Sequence, residues 1–121
     1  MVNSARRVHP NALPGYKQAS IPRAKLEGYL LNPAHIVGKH KAKVFKSALG
    51  FDQGSWRLLE TAIRNELPYN EAQSTKNDSY GRRYNVTITI KGPNGSERDV
   101  TTAWIVKTGD DQPSFVTAHV R

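Results

Sequence analysis

A chain of 121 residues with a net charge of +8 supports one domain built on a single modest core. It contains no cysteine, which excludes disulfides, thiolate zinc sites and a cysteine nucleophile. No apolar run approaches bilayer-spanning length, so no membrane insertion is expected. The charge is unevenly placed. Nine of the eighteen basic residues fall within residues 1–46, where Glu27 is the sole acid, whereas residues 47–121 carry nine of each sign. Such a one-sided basic field attracts nucleic acid, an anionic membrane or an acidic protein, and nucleic acid is the leading partner.

Residues 1–20 hold Asn3, Pro10, Asn11, Pro14 and Gly15 with little periodicity. They are expected to form a flexible leader or linker, with residues 21–121 as a single domain. Pro22 suits the first turn of a helix. Leu26, Tyr29 and Leu30 give that helix a short apolar stripe, and Asn32-Pro33 ends it. The glycines at 38 and 50 bracket a second helix, with Ala42, Phe45, Ala48 and Leu49 on one face. Lys39, Lys43 and Lys46 share the opposite face. Lys41 breaks the pattern, because it lies beside the apolar face. Its ammonium must reach past the core to water, pair with a buried carboxylate or point into a pocket. With His40 next to it, the reading is either a snorkelling lysine beside a surface histidine or a His-Lys pair in a polyanion cleft. His35 and His40 have no nearby carboxylate or cysteine to complete a ligand set, so no metal and no other cofactor is expected.

A third helix is predicted from Trp56, Leu59, Ala62, Ile63 and Leu67, capped by Asp52 or Ser55 and stopped by Pro68. Tyr69 to Ser79 is polar and non-periodic and reads as a loop. The pattern then switches to period two: Val86, Ile88 and Ile90 alternate with polar residues. Gly92-Pro93-Asn94-Gly95 makes a hairpin turn. On the return strand Val100, Thr102, Trp104 and Val106 share one face and Thr101, Ala103 and Ile105 the other. In the last strand Phe115, Thr117 and His119 are expected on one side, Val116, Ala118 and Val120 on the other. The fold class is therefore α+β, with two to three N-terminal helices packed on one face of an antiparallel meander of three or more strands.

The acids are scattered, and Asp110-Asp111 sits in a turn, so the clustered carboxylates of a two-metal nuclease are not in view. RNA can be cut without metal, because its 2′-hydroxyl attacks the adjacent phosphorus. The protein then supplies a base, an acid and positive charge for the phosphorane. The candidate catalytic residues are His40, Lys41, Arg83, Thr102, Thr117 and His119. His40 or His119 would transfer the proton, Lys41 and Arg83 would stabilise the phosphorane, and Thr102 and Thr117 would form hydrogen bonds. Lys39, Lys43, Tyr84 and Trp104 are the candidate substrate contacts. Strand parity leaves open whether Thr101 or Thr102 faces the cleft.

Five segments carry a resemblance over roughly residues 14–120. They are Ile21-Pro22-x-x-Lys25-Leu26-x-x-Tyr29-Leu30-Leu31-Asn32-Pro33, Gly38-x-His40-Lys41-Ala42-x-x-Phe45, Leu49-Gly50-Phe51, Gly81-x-Arg83-Tyr84 and Thr102-x-Trp104-Ile105. Together they resemble an uncharacterised bacterial domain family found at the C-termini of polymorphic and contact-dependent inhibition toxins, and beside phage head-morphogenesis proteins. Helices followed by an antiparallel sheet also look like the barnase, EndoU, colicin and RelE group of ribonuclease toxins, an analogy of architecture. Where that family often carries Pro-Arg-Leu-x-Thr, this chain has Pro113-Ser114-Phe115-Val116-Thr117, keeping the threonine and lacking the arginine.

The resemblance implies a monomeric toxin domain, secreted or delivered as part of a larger cell-surface protein. It would act in the target-cell cytoplasm on RNA, with tRNA the expected substrate, and be neutralised by an acidic immunity protein. The alternative is a non-enzymatic nucleic-acid-binding or protein-docking accessory domain of a phage or secreted protein.

Overall fold

A computed structural model describes residues 6–121. The helical half comes first. Helix α1 (Arg23–Lys25) runs on as a π-helical turn over Leu26–Leu30, and α2 (Lys39–Leu49) and α3 (Trp56–Glu66) follow. Four strands complete the chain: β1 (Ala72–Asp78), β2 (Gly81–Lys91), β3 (Glu97–Lys107) and β4 (Pro113–Val120). They pair antiparallel in sequence order, so β1 and β4 are the two edges. The architecture is the expected α+β, with three helices on one face of a four-stranded meander.

Period-two sequence decides which face is covered. Val86, Ile88, Ile90, Val100 and Trp104 are buried and form one cluster with Leu26, Leu30, Phe45, Leu49, Leu59 and Ile63 of the helices. Gly50 ends α2 at φ 85°, a left-handed conformation that suits glycine. The next residue, Phe51, turns back into the core, its N–H donating to the Phe45 carbonyl at 3.2 Å. Trp56 is half-buried against this core, with the Arg23 guanidinium 5.0 Å from its ring centre.

Three expectations need correction. Residues 69–79 are not all loop, since Ala72–Asp78 is an edge strand. Its side chains are mostly exposed and lack alternation, so the pairing to β2 creates the strand rather than its own pattern.

Second, the described part of the expected leader belongs to the domain. Leu13 and Ala19 are in the core, the His9 N–H donates to the Pro68 carbonyl, and the Ala72 N–H donates to the Asn11 carbonyl. Arg6 adds a two-point ion pair with Glu66, which holds that carboxyl below its ordinary range. Met1–Ala5 lie outside the described residues.

Third, β4 is not regular. Its register to β3 shifts between Ala103 and Trp104, leaving Val116 unpaired in a bulge. The extra residue lets Phe115 and Ala118, three apart, both face the core, and it puts Thr117 and His119 opposite Ala103 and Thr101.

Leu13→Ala should lower the unfolding free energy by about 2–5 kcal/mol, the usual range for a buried leucine. Urea denaturation measures it. A change within roughly 0.5 kcal/mol, typical of surface positions, would place this segment outside the core.

Candidate functional site

A sheet edge presents unpaired backbone N–H and C=O groups, and each needs a partner or water. Along the outer edge of β4 Ser20 and Lys41 supply partners for backbone groups, and between them Tyr29 adds a side-chain contact. Ser20 forms a short bridge: its N–H donates to the Pro113 carbonyl at 2.8 Å, and its carbonyl accepts from the Phe115 N–H at 2.9 Å. Next, the Tyr29 hydroxyl shares a 3.0 Å hydrogen bond with the Thr117 hydroxyl. Then Lys41, half-buried, crosses from α2 and donates through Nζ to the Ala118 carbonyl at 3.2 Å. Lys41 thus resolves its conflict with the apolar face by covering Phe45 with its stem and capping a strand carbonyl with its head.

Beyond this point a small crevice of about 190 Å³ opens between α2 and β4. His40, Lys41, Val44 and Phe45 line it from the helix, and His119 and Val120 from the strand. Both histidines are exposed. One of the three ammonium hydrogens of Lys41 is committed to Ala118, which leaves two for an anion. The crevice assembles two imidazoles and a fixed cation over an apolar wall, and the tyrosine–threonine hydroxyl pair lies on the preceding stretch of the same strand edge.

The fold brings four of the six catalytic candidates to this edge: His40, Lys41, Thr117 and His119. It separates the other two. Thr102 is fully buried on the helix side, donating to the Val86 carbonyl and accepting from Trp104 Nε1, both at 2.8 Å. Its hydroxyl satisfies the indole inside the core and is out of substrate's reach, as is Trp104 itself. Thr101, not Thr102, faces the uncovered side of the sheet, bonded to Thr87 at 2.9 Å.

Arg83 is half-buried on that same side but on β2, two strands from β4, about 10 Å at the usual strand spacing. Tyr84 points to the helix side, lining a shallow depression with Pro10, Asn11 and Glu71. Its hydroxyl accepts from Arg82 at 3.2 Å, so it lies away from α2. Lys39 and Lys43 are exposed along the opposite flank of α2, over a separate groove. Among the described residues no three of histidine, cysteine, aspartate and glutamate gather as a metal site.

Sequence reasoning passed over Tyr29, which looks like one member of an apolar stripe. Its placement depends on the loop before α2. His35 Nδ1 accepts from the N–H groups of Val37 and Gly38 at 3.1 and 3.0 Å, and its ring meets Tyr29 edge-on at 5.1 Å. His35 is thereby a structural residue, folding the loop that holds the tyrosine. Gly38 packs so closely that a β-carbon would overlap the Tyr29 carbonyl and ring. That proximity, rather than any special φ, is the reason for glycine here.

Gly38→Ala should therefore destabilise by about 1–3 kcal/mol, the usual cost of overpacking. Gly28→Ala has open space around the new methyl group and should stabilise by about 0.4–1 kcal/mol. Thermal unfolding of the pair checks the opposite signs, and equal effects would remove the packing argument.

No curated protein and no solved structure matches the chain. One family model does, over residues 12–121, a span that contains every helix and strand described above. Its start at residue 12 agrees with the burial of Leu13 and places the domain boundary ahead of residue 21. On that match, the chain belongs to the family described as a domain of unknown function, DUF6883.

Proposed function

We propose that this domain is a ribonuclease of the delivered bacterial toxin type, and that it cuts RNA through the substrate's own 2′-hydroxyl. The observation that carries the reading is the convergence of His40, Lys41, Thr117 and His119 at the β4 edge, beside a helix whose outward face is basic. Imidazole is the side chain that gains and loses a proton most readily near neutral pH. One histidine removes the 2′-hydroxyl proton as that oxygen attacks phosphorus. The other protonates the departing 5′-oxygen, leaving a 2′,3′-cyclic phosphate and a free 5′-hydroxyl. Lys41 sits where charge develops on the phosphorane, held by its bond to Ala118 and needing little reorganisation. The Tyr29–Thr117 hydroxyl pair orients a non-bridging oxygen or the ribose.

The delivery reading rests on three further features. The chain is free of cysteine, so passage between redox compartments leaves its covalent structure unchanged. No helix among the described residues is long and apolar enough to cross a membrane. The basic excess lies in the helical half, where an acidic immunity protein could cover both α2 and the crevice. tRNA is the substrate we favour.

The test is incubation of purified protein with total bacterial RNA in EDTA. Wild type should give discrete products ending in cyclic phosphate. Lys41→Met, which keeps the apolar stem, should lower the rate at least ~100-fold, as loss of one charge-stabilising donor does. His40→Ala and His119→Ala should each lower it by about 10²–10⁴-fold. Unchanged thermal unfolding would show that the variants remain folded. Intact RNA together with salt-sensitive binding, weakened evenly by each lysine substitution, would instead assign a non-enzymatic nucleic-acid-binding module.

A further inference from the structure

The flank of α2 opposite the crevice borders an open groove of about 850 Å³, within the size range of small-molecule sites. Its floor is apolar, formed by the largely buried Leu31 and Phe51. Lys39, Lys43 and Lys46 stand along one wall. At 1.5 Å of rise per residue, Lys39 and Lys43 are about 6 Å apart along the axis, close to the step between successive phosphates of an unstacked strand. The far end is polar. Lys46 is paired with Asp52 at 3.2 Å, and Gln53 donates its amide nitrogen to the Glu27 carbonyl at 2.8 Å. Asp52 is already engaged by Lys46 and by the backbone N–H groups of Gly54 and Ser55, so the acceptor left facing this end of the groove is the Gln53 amide oxygen.

His40 links the two cavities. It lines both the groove and the crevice, and at roughly 100° per residue it stands on the crest of α2 between Lys39 and Lys41. A strand whose scissile phosphate lies in the crevice therefore continues over His40 into the groove.

We infer that the groove is a nucleotide subsite for RNA, seating the base next to the scissile phosphate and preferring one with an exocyclic amino group. The inference rests on the ribonuclease reading. The apolar floor takes the base, the Gln53 amide oxygen receives an amino hydrogen, and Lys39 and Lys43 hold phosphate. A base lacking that amino group leaves the Gln53 oxygen unpaired, and this is what discriminates against uracil.

Titration of the protein with adenosine and uridine 5′-monophosphates, followed by backbone amide shifts, tests the subsite without any cleavage. The Gln53, Gly54 and Lys43 amides should shift saturably, with adenylate at least ~5-fold tighter than uridylate, in line with loss of one hydrogen-bonded contact. Gln53→Leu should remove the preference. Lys43→Glu, on an exposed position, should weaken both nucleotides equally and serves if the Gln53 variant fails to fold. Equal affinity for the two nucleotides, or shifts that inorganic phosphate reproduces in full, would overturn the subsite. RNA cleavage measured on the same samples separates the two ideas. Cleavage without groove binding sinks the subsite alone, whereas groove binding without cleavage sinks the ribonuclease reading and leaves the groove a nucleotide site with no scissile phosphate beside it.

Discussion

The outer edge of β4 is the constraint around which this domain is arranged. A sheet four strands wide ends in a row of backbone groups that would otherwise pair with another chain. Here one end of that row is closed by the backbone of Ser20 and the middle by Lys41 on the Ala118 carbonyl, with Tyr29 bonded to the Thr117 hydroxyl between them. The far end, at His119, is left open. The same contacts that protect the edge lead a cation, a phenol and two histidines to one place. Structural need and chemical opportunity coincide there, because a lysine head fixed on a carbonyl still has donors to spare.

The bulge at Val116 matters for the same reason. With a regular period of two, Phe115, Thr117 and His119 would share one face, and either Phe115 would leave the core or Thr117 would enter it. The unpaired residue lets Phe115 meet Trp104 edge-on at 5.4 Å while Thr117 stays at the edge within reach of Tyr29. Burial of Thr102 belongs to the same arrangement: the indole N–H of Trp104 needs an acceptor inside the core, and the Thr102 hydroxyl provides it. Two threonines on neighbouring strands thus serve different ends, one inside and one at the edge.

The helices, the Asn94-Gly95 hairpin and the two central strands were legible in the sequence, because periodicity and turn chemistry act over a few residues. The conflict at Lys41 was legible too, since a lysine beside an apolar stripe is a local contradiction. Four features were not. Strand β1 is polar on both faces and exists through its partner. Residues 9–13 are ordered by two backbone bonds to distant carbonyl and amide groups and by the burial of Leu13, none of which leaves a local signature. The bulge hides in a run that fits a regular strand equally well, so parity put Phe115 and Thr117 on one side, and it left open which of Thr101 and Thr102 faces the cleft. Tyr29 was missed because an aromatic residue at helical spacing looks like core, and its hydroxyl partner lies 88 residues away.

The most direct measurement is a nuclear magnetic resonance titration with a short 2′-deoxy oligonucleotide, which can bind in the crevice but cannot be cut by transesterification. The imidazole signals of His40 and His119 and the ammonium of Lys41 should shift together along one saturation curve, because one phosphate sits among them. Shifts confined to Lys39 and Lys43, or spread evenly over the basic surface with the His119 ring unmoved, would contradict a site at the edge of β4.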